Sequence, residues 1–145
     1  MDMKNTIANL LLLLILCGCA VDSKPGFSDA TDREMVRAIL ENLDSHTLDM
    51  ETKMSVYHDD AIHMGQGKRA ITNLKDLEAL LTEERQWGHS EMKHEAYEIH
   101  SYADHVIVRG GVKGTWHSKD GETEVPFETN NLLTLKRIPE GGLKV

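Results

Sequence analysis

His58, Asp59, Asp60 and His63 form the densest group of chemically useful side chains in this 145-residue chain. An imidazole beside carboxylates suits a proton relay, because histidine titrates near neutral pH. The same residues offer two histidines and a carboxylate to a zinc-type ion, which would still need another ligand. A plainer reading competes: aspartates in a helix-to-strand turn bond nearby backbone N–H groups, and that suits Asp59 and Asp60. His63 is out of phase with Ile62 and Met64, so it either lines a hollow or meets water. His94, Glu98 and His100 would share one face of an alternating strand. Side chains two apart on a strand are about 7 Å apart, wide for one ion, so a solvated or dimer-facing surface is expected there. Tyr57 and Trp116 each pair an apolar body with one polar atom, which suits either a pocket wall or a core. Asn130 and Asn131 are unusual in a strand, and alternation turns one of them to the concave side, where its amide needs a partner.

The elements that must position these residues follow from periodicity. Thr31 and Glu34 make a capping box, and Val36, Ile39, Leu40 and Leu43 recur at helical spacing, predicting a helix over 32–43. Asp49 caps a second short helix carrying Met50, Met54 and Tyr57. Asp59-Asp60 is a turn and Ala61–Met64 a short strand. Ile71, Leu74, Leu77 and Leu81 mark a third helix, capped by Thr72 or Asn73 or begun near Lys68, with Trp87 near its end and Gly88 as its stop. Beyond Gly88 the period changes to two. Strands are expected over 91–100, 106–117 and 124–137, with Gly110, Gly111 and Gly114 marking a bulge or bend. Asp120-Gly121 closes a hairpin. Pro139–Gly142 is a further turn, and Leu143–Val145 begins a strand that stops at once. Helices followed by a meander of strands indicate an α+β domain whose bent antiparallel sheet wraps the helices around a hollow.

Composition narrows the function. Sixteen Lys plus Arg against 24 Asp plus Glu give a net charge of −8, the wrong balance for non-specific nucleic-acid binding. No phosphate-binding loop, dinucleotide fingerprint or nucleophile elbow is present. No cofactor and no metal are expected.

The first residues read as an address. Lys4 is a short basic start, and Ile7–Leu16 is apolar but shorter than the roughly 20 residues of a spanning helix. Leu16-Cys17-Gly18-Cys19 resembles a bacterial lipoprotein signal, in which the peptide is cut before the second cysteine and that thiol is acylated. The resemblance implies a signal peptide over 1–18, lipidation of Cys19, a tether over 19–29 and a domain over 30–145. The true start is Met1 or Met3. Cys17 leaves with the signal, which excludes disulfides in the domain. Ala20 after the cysteine favours the periplasmic face of the outer membrane in a Gram-negative cell.

From Tyr57-His58-Asp59-Asp60-Ala61, Gly67 ahead of Ala70-Ile71, Val106-Ile107-Val108-Arg109-Gly110, the Asp120-Gly121 hairpin and Leu133-Thr134-Leu135-Lys136-Arg137, the chain resembles the SnoaL-like proteins of the nuclear-transport-factor-2-like superfamily. That resemblance implies a cone-shaped, cystatin-like α+β fold of about three helices on a curved antiparallel sheet, with the last strand cut short at Val145. It implies a conical pocket and a homodimer through the sheet. The expected role is binding of a small, partly apolar molecule, with Tyr57, His63, Trp116 and Asn131 as ligand contacts. One alternative is an isomerase, cyclase or dehydratase of small carbonyl compounds, with His63 or Asp60 as base and Tyr57 as donor. The other is a non-catalytic dimeric interaction domain.

Overall fold

The computed structural model describes residues 29–65 and 67–145. The expected signal peptide and Cys19 lie outside the described residues.

Helix α1 spans Asp29–Asp44. Its apolar stripe of Val36, Ile39, Leu40 and Leu43 is buried as the spacing predicts. Asp32, in its first turn, is also fully buried. Its two carboxylate oxygens accept from Arg137 Nη1 and Nη2, both at 2.8 Å. Burial of a carboxylate is tolerable only with such a partner, and the helix N-terminus favours its negative charge. Helix α2 is Met50–Met54, capped by Asp49, whose carboxylate accepts from Thr52 N and Thr52 Oγ1 at 2.8 Å each. Helix α3 is Leu74–Trp87, and of the alternative starts Asn73 is the cap, accepting from Asp76 N at 2.9 Å.

Four strands follow as an antiparallel meander in the order β1-β2-β3-β4: β1 Gly88–Ser101, β2 His105–Ser118, β3 Glu124–Ile138 and β4 Gly142–Lys144. Gly88 does end α3, but it is also the first residue of β1, so the strand begins earlier than alternation alone indicates. The strand expected over Ala61–Met64 is reduced to one bridge, in which His63 and Ile71 exchange backbone hydrogen bonds of 2.9 Å. The short β4 is locked at its end: Val145 N donates to Val56 O and His58 N to Val145 O, both at 2.8 Å. These two bonds place the Tyr57–Ala61 turn against the sheet.

The expected bulge is present, but on the strand facing the glycines. Gly110 pairs with Ala96 and Arg109 with Glu98, so Tyr97 is the extra residue. Its hydroxyl occupies the space where a Cβ on Gly111 would sit. The bulge corrects the face assignment. Met92, His94 and Ala96 look inward with Ile99 and Ser101, because they pair with Gly114, Val112, Gly110, Val108 and Val106. Glu98 and His100 lie on the outer face, where Arg109 Nε donates to Glu98 at 3.0 Å. Strict alternation fails because one inserted residue flips every later side chain to the other face.

The inward face is therefore a ladder of cross-strand rows. Ser101–Val106–Leu135 and Ile99–Val108–Leu133 lie under the helices, and Ala96–Gly110–Asn131, His94–Val112–Thr129, Met92–Gly114–Phe127 and Ser90–Trp116–Val125 run toward the open end. Val106, Val108 and Leu135 are at most 1% exposed and join Leu77 and Val36 in the core, whereas Val125 is 47% exposed. The curled sheet is sealed at one end and open at the other, the α+β cone expected from the sequence.

Candidate functional site

The open end holds a cleft of about 230 Å³ between the loop after α1, helices α2 and α3, and the start of β1. Leu81, Met92 and Trp116 give it an apolar wall; Lys53, Glu84, Arg85, His46 and His89 give it a polar rim. Gly88 lets the indole in. A Cβ there would stand 2.7 Å from the Trp116 ring and would strike the His117 carbonyl oxygen.

Lys53 is the least expected member of this lining. It is 7% exposed, and its ammonium donates to Asn42 O at 3.0 Å, Leu43 O at 2.6 Å and Ser45 O at 2.8 Å. Those are carbonyls at and beyond the end of α1, which lack helical partners and carry the negative end of the helix dipole. All three ammonium protons are used, so Lys53 supplies charge to the cleft but no further hydrogen bond. Burial lowers its pKa, the nearby Arg85 lowers it further, and Asp44 opposes both. Arg85 Nη2 donates to Leu48 O at 2.8 Å, so the loop between α1 and α2 is held from two sides. On that loop His46 packs against His89, with ring centroids 4.7 Å apart.

A second concavity of about 300 Å³ lies where α1 crosses β1, lined by Val36, Leu40, Ala96 and Ile99 with charged residues Arg33, Arg37, Glu41, Lys93 and Glu95 around them. His94 opens onto it. The ring Nδ1 of His94 is 2.6 Å from Asp44 Oδ1, which also accepts from His94 N at 2.8 Å. Both side chains are close to nine-tenths buried, at 11% and 12% exposure. Asp44 Oδ1 thus holds the ring through Nδ1 and fixes its orientation, the Asp–His pairing found in proton-transfer sites.

The residues singled out from the sequence do not converge here. Trp116 lines the cleft. Asn131 is half-buried on the inward face, with Oδ1 over Gly110, and lines neither concavity. Tyr57 packs in the hydrophobic core; burial, with a contribution from Glu84, pushes its pKa up to about 12. Asp60 is exposed, 2.9 Å from Lys136 Nζ and 2.5 Å from His58 Nδ1. The Lys136 hydrogen bond, then that from His58, lowers its pKa, the opposite of what a base poised near neutrality requires. His63 is exposed on its backbone bridge. Among the described residues, no group of three or more His, Cys, Asp or Glu side chains is placed to hold a metal ion.

Sequence reasoning passed over Lys53 and Asp44, and it placed His94 on a solvated or dimer-facing strand surface, whereas the fold buries it against Asp44. A signal for Lys53 exists: Met50, Lys53, Met54 and Tyr57 fall at i, i+3, i+4 and i+7, which puts the lysine on the apolar stripe. Asp44 and His94 are 50 residues apart and meet only through the fold.

No family profile and no curated protein matches the chain. Solved structures do. A ketosteroid isomerase-like protein from Erwinia carotovora atroseptica superposes with a TM-score of 0.68, at 22% identity, over 79% of this chain and 88% of that one. A protein described as a SnoaL-like polyketide cyclase, from Shewanella denitrificans, gives 0.56 at 13% identity over 75% and 81%. An NTF2-like protein of unknown function from Exiguobacterium gives 0.51 at 14% over 75% and 91%. These likenesses establish the fold.

Proposed function

We propose that this chain, which carries the nuclear-transport-factor-2-like cone fold shared with SnoaL-like and ketosteroid isomerase-like proteins, binds a small, partly apolar anion in the Trp116 cleft. The observation that carries this reading is Lys53, a buried cation beneath an aromatic wall. Together with Arg85 at the rim it outweighs Glu84, so a carboxylate is favoured over an amine of the same shape. The ring or alkyl part of the ligand rests on Trp116, Met92 and Leu81. The cleft is smaller than the roughly 300–1,000 Å³ typical of drug-sized ligands, which points to a ligand of modest size.

The test uses Trp87→Phe, which leaves Trp116 as the only tryptophan. Its emission is followed while benzoate, phenylacetate, octanoate and their amides are added. Saturable changes with a carboxylate, weaker with its amide and absent in Trp116→Ala, are expected. Equal binding of acid and amide, or saturation by none of them, refutes the reading.

A second reading, acid–base catalysis on a small carbonyl compound, is favoured by the Asp44–His94 pair rather than by His63, Asp60 and Tyr57. It predicts exchange of α-deuterium from an enolisable ketone, followed by NMR and lost in both His94→Ala and Asp44→Asn; exchange that survives both changes rejects it.

Export and lipid anchoring at Cys19 complete the proposal, supported by the apolar segment and the Leu16–Cys19 box. Labelled palmitate entering the wild-type chain and not Cys19→Ser is the expected result. Homodimerisation through the sheet is part of the same proposal, and native mass spectrometry reads it directly.

A further inference from the structure

Resting on the reading of the Trp116 cleft as a small-anion site, we propose that Arg85 is the residue that hydrogen-bonds the ligand's carboxylate and sets the preference of the cleft for an acid over its amide.

The lining holds two permanent cations, Lys53 and Arg85, and one carboxylate, Glu84. The two cations are not equivalent. Lys53 is buried, and its ammonium protons are taken by Asn42 O, Leu43 O and Ser45 O. It attracts an anion through space but has no proton left to bond one. A carboxylate leaving water for the cleft gives up hydration and needs donors in exchange. A guanidinium carries five N–H donors in a flat fork. Among the described residues, the one protein acceptor that Arg85 meets is Leu48 O, 2.8 Å from Nη2. The rest of the fork is open, and its shape matches two carboxylate oxygens at once.

Two features aim Arg85 at the cleft. Leu77, Leu81 and Arg85 recur at four-residue spacing on α3, which sets them in one row along the helix. Leu77 is buried in the core, Leu81 is on the cleft wall, and Arg85, half-buried, ends the row at the open end. Leu48 O then fixes the guanidinium from the α1–α2 loop, and Lys53 ties the same loop at Ser45 O. An arginine oriented in advance loses less freedom when it meets a ligand.

The surrounding charges favour an anion at this place. Among the described residues neither Arg85 nor Lys53 forms an ion pair, although Glu84 shares the lining. Asp49 is close enough for Arg85 to lower its pKa slightly, but its carboxylate already accepts from Thr52 N and Thr52 Oγ1. Burial, then the charge of Arg85, lowers the Lys53 pKa, and Asp44 works the other way. Two like charges therefore face one cavity, and an anion there relieves their repulsion.

The test compares Arg85→Gln with Arg85→Lys in the Trp87→Phe chain. Trp116 emission follows the tightest-binding acid among benzoate, phenylacetate and octanoate, and then its amide. In Arg85→Gln, acid binding is expected to fall at least about tenfold, the loss of a charge-assisted contact, while amide binding is unchanged, so the acid preference disappears. Arg85→Lys keeps the charge without the fork and recovers part of the affinity. In the wild-type chain the same acid is expected to slow phenylglyoxal modification of Arg85, mapped by peptide mass spectrometry, and to leave the exposed Arg33 and Arg37 unprotected. That measurement decides alone if Arg85→Gln fails to fold by circular dichroism. Unchanged acid binding in Arg85→Gln, an equal loss for acid and amide, full recovery in Arg85→Lys, or no protection of Arg85 overturns this role and leaves the cleft reading standing. Saturation of the Trp87→Phe chain by none of the acids removes both.

Discussion

Replacing Asp32 with asparagine removes one charge from a pair that joins the first turn of α1 to the end of β3. The aspartate is fully buried and the Arg137 side chain is 7% exposed. Two charge-assisted hydrogen bonds are lost or weakened, and a buried guanidinium keeps its charge. Breaking such a pair costs about 3–5 kcal/mol. Arg137 Nε still donates to Tyr102 O at 2.9 Å, so the lower end applies: about 3 kcal/mol, roughly a 150-fold fall in the folding equilibrium constant. Urea denaturation followed by far-UV circular dichroism measures it. The pH dependence adds a second signature. The Arg137 hydrogen bond holds the Asp32 carboxyl below the ordinary aspartate range. A depressed carboxylate pKa contributes stability that is complete above the unfolded value of about 3.9 and is lost as pH falls through the lower folded value. The gap between wild type and Asp32→Asn is therefore constant from neutrality to about pH 5 and narrows below pH 4. Replacing both partners with leucine recovers much of the loss, because the uncompensated charge disappears. A cost under about 1 kcal/mol, where exposed ion pairs lie, or a gap equally wide at pH 3 and pH 7, refutes the account of this pair.

Lys53→Met leaves three carbonyls at the end of α1 without their donor, and the cleft lets water reach them in part. A loss of about 2–4 kcal/mol is expected in the same denaturation assay, together with weaker carboxylate binding at Trp116; unchanged stability contradicts the capping role. Gly88→Ala drives a methyl group toward the Trp116 ring and the His117 carbonyl. The backbone there is extended and suits alanine, so any effect is a collision. About 2 kcal/mol of destabilisation is expected, with a shifted Trp116 emission, and a neutral result shows that the indole has room to move.

The helices were legible because their buried stripes and caps are local: Val36–Leu43 repeats at helical spacing, and Asp49 and Asn73 accept from N–H groups three residues on. The meander was legible from its change of period and from Asp120-Gly121. The chemistry was harder to read because it depends on contacts that spacing does not encode. The Tyr97 bulge puts His94 inside and His100 outside, although both occupy even positions of one strand. The His58–His63 cluster drew attention by its density, yet Lys136, distant in sequence, occupies Asp60. Asp32 looked like an ordinary acidic residue of a first helical turn until Arg137 arrived from 105 residues away. Lys53 alone left a usable trace, a charge on an apolar stripe.

The Asp32–Arg137 clamp also has a mechanical meaning. Tension applied to the chain ahead of α1 reaches the fold within its first helical turn. There it passes through two parallel hydrogen bonds into β3, a strand flanked by β2 for nearly its whole length. Load is thus delivered to the end of β3, where Arg137 is itself paired with Leu143 of β4, instead of peeling the helix from its margin, so a pull on the leading end of the domain must shear this fastening as well as lift the helix.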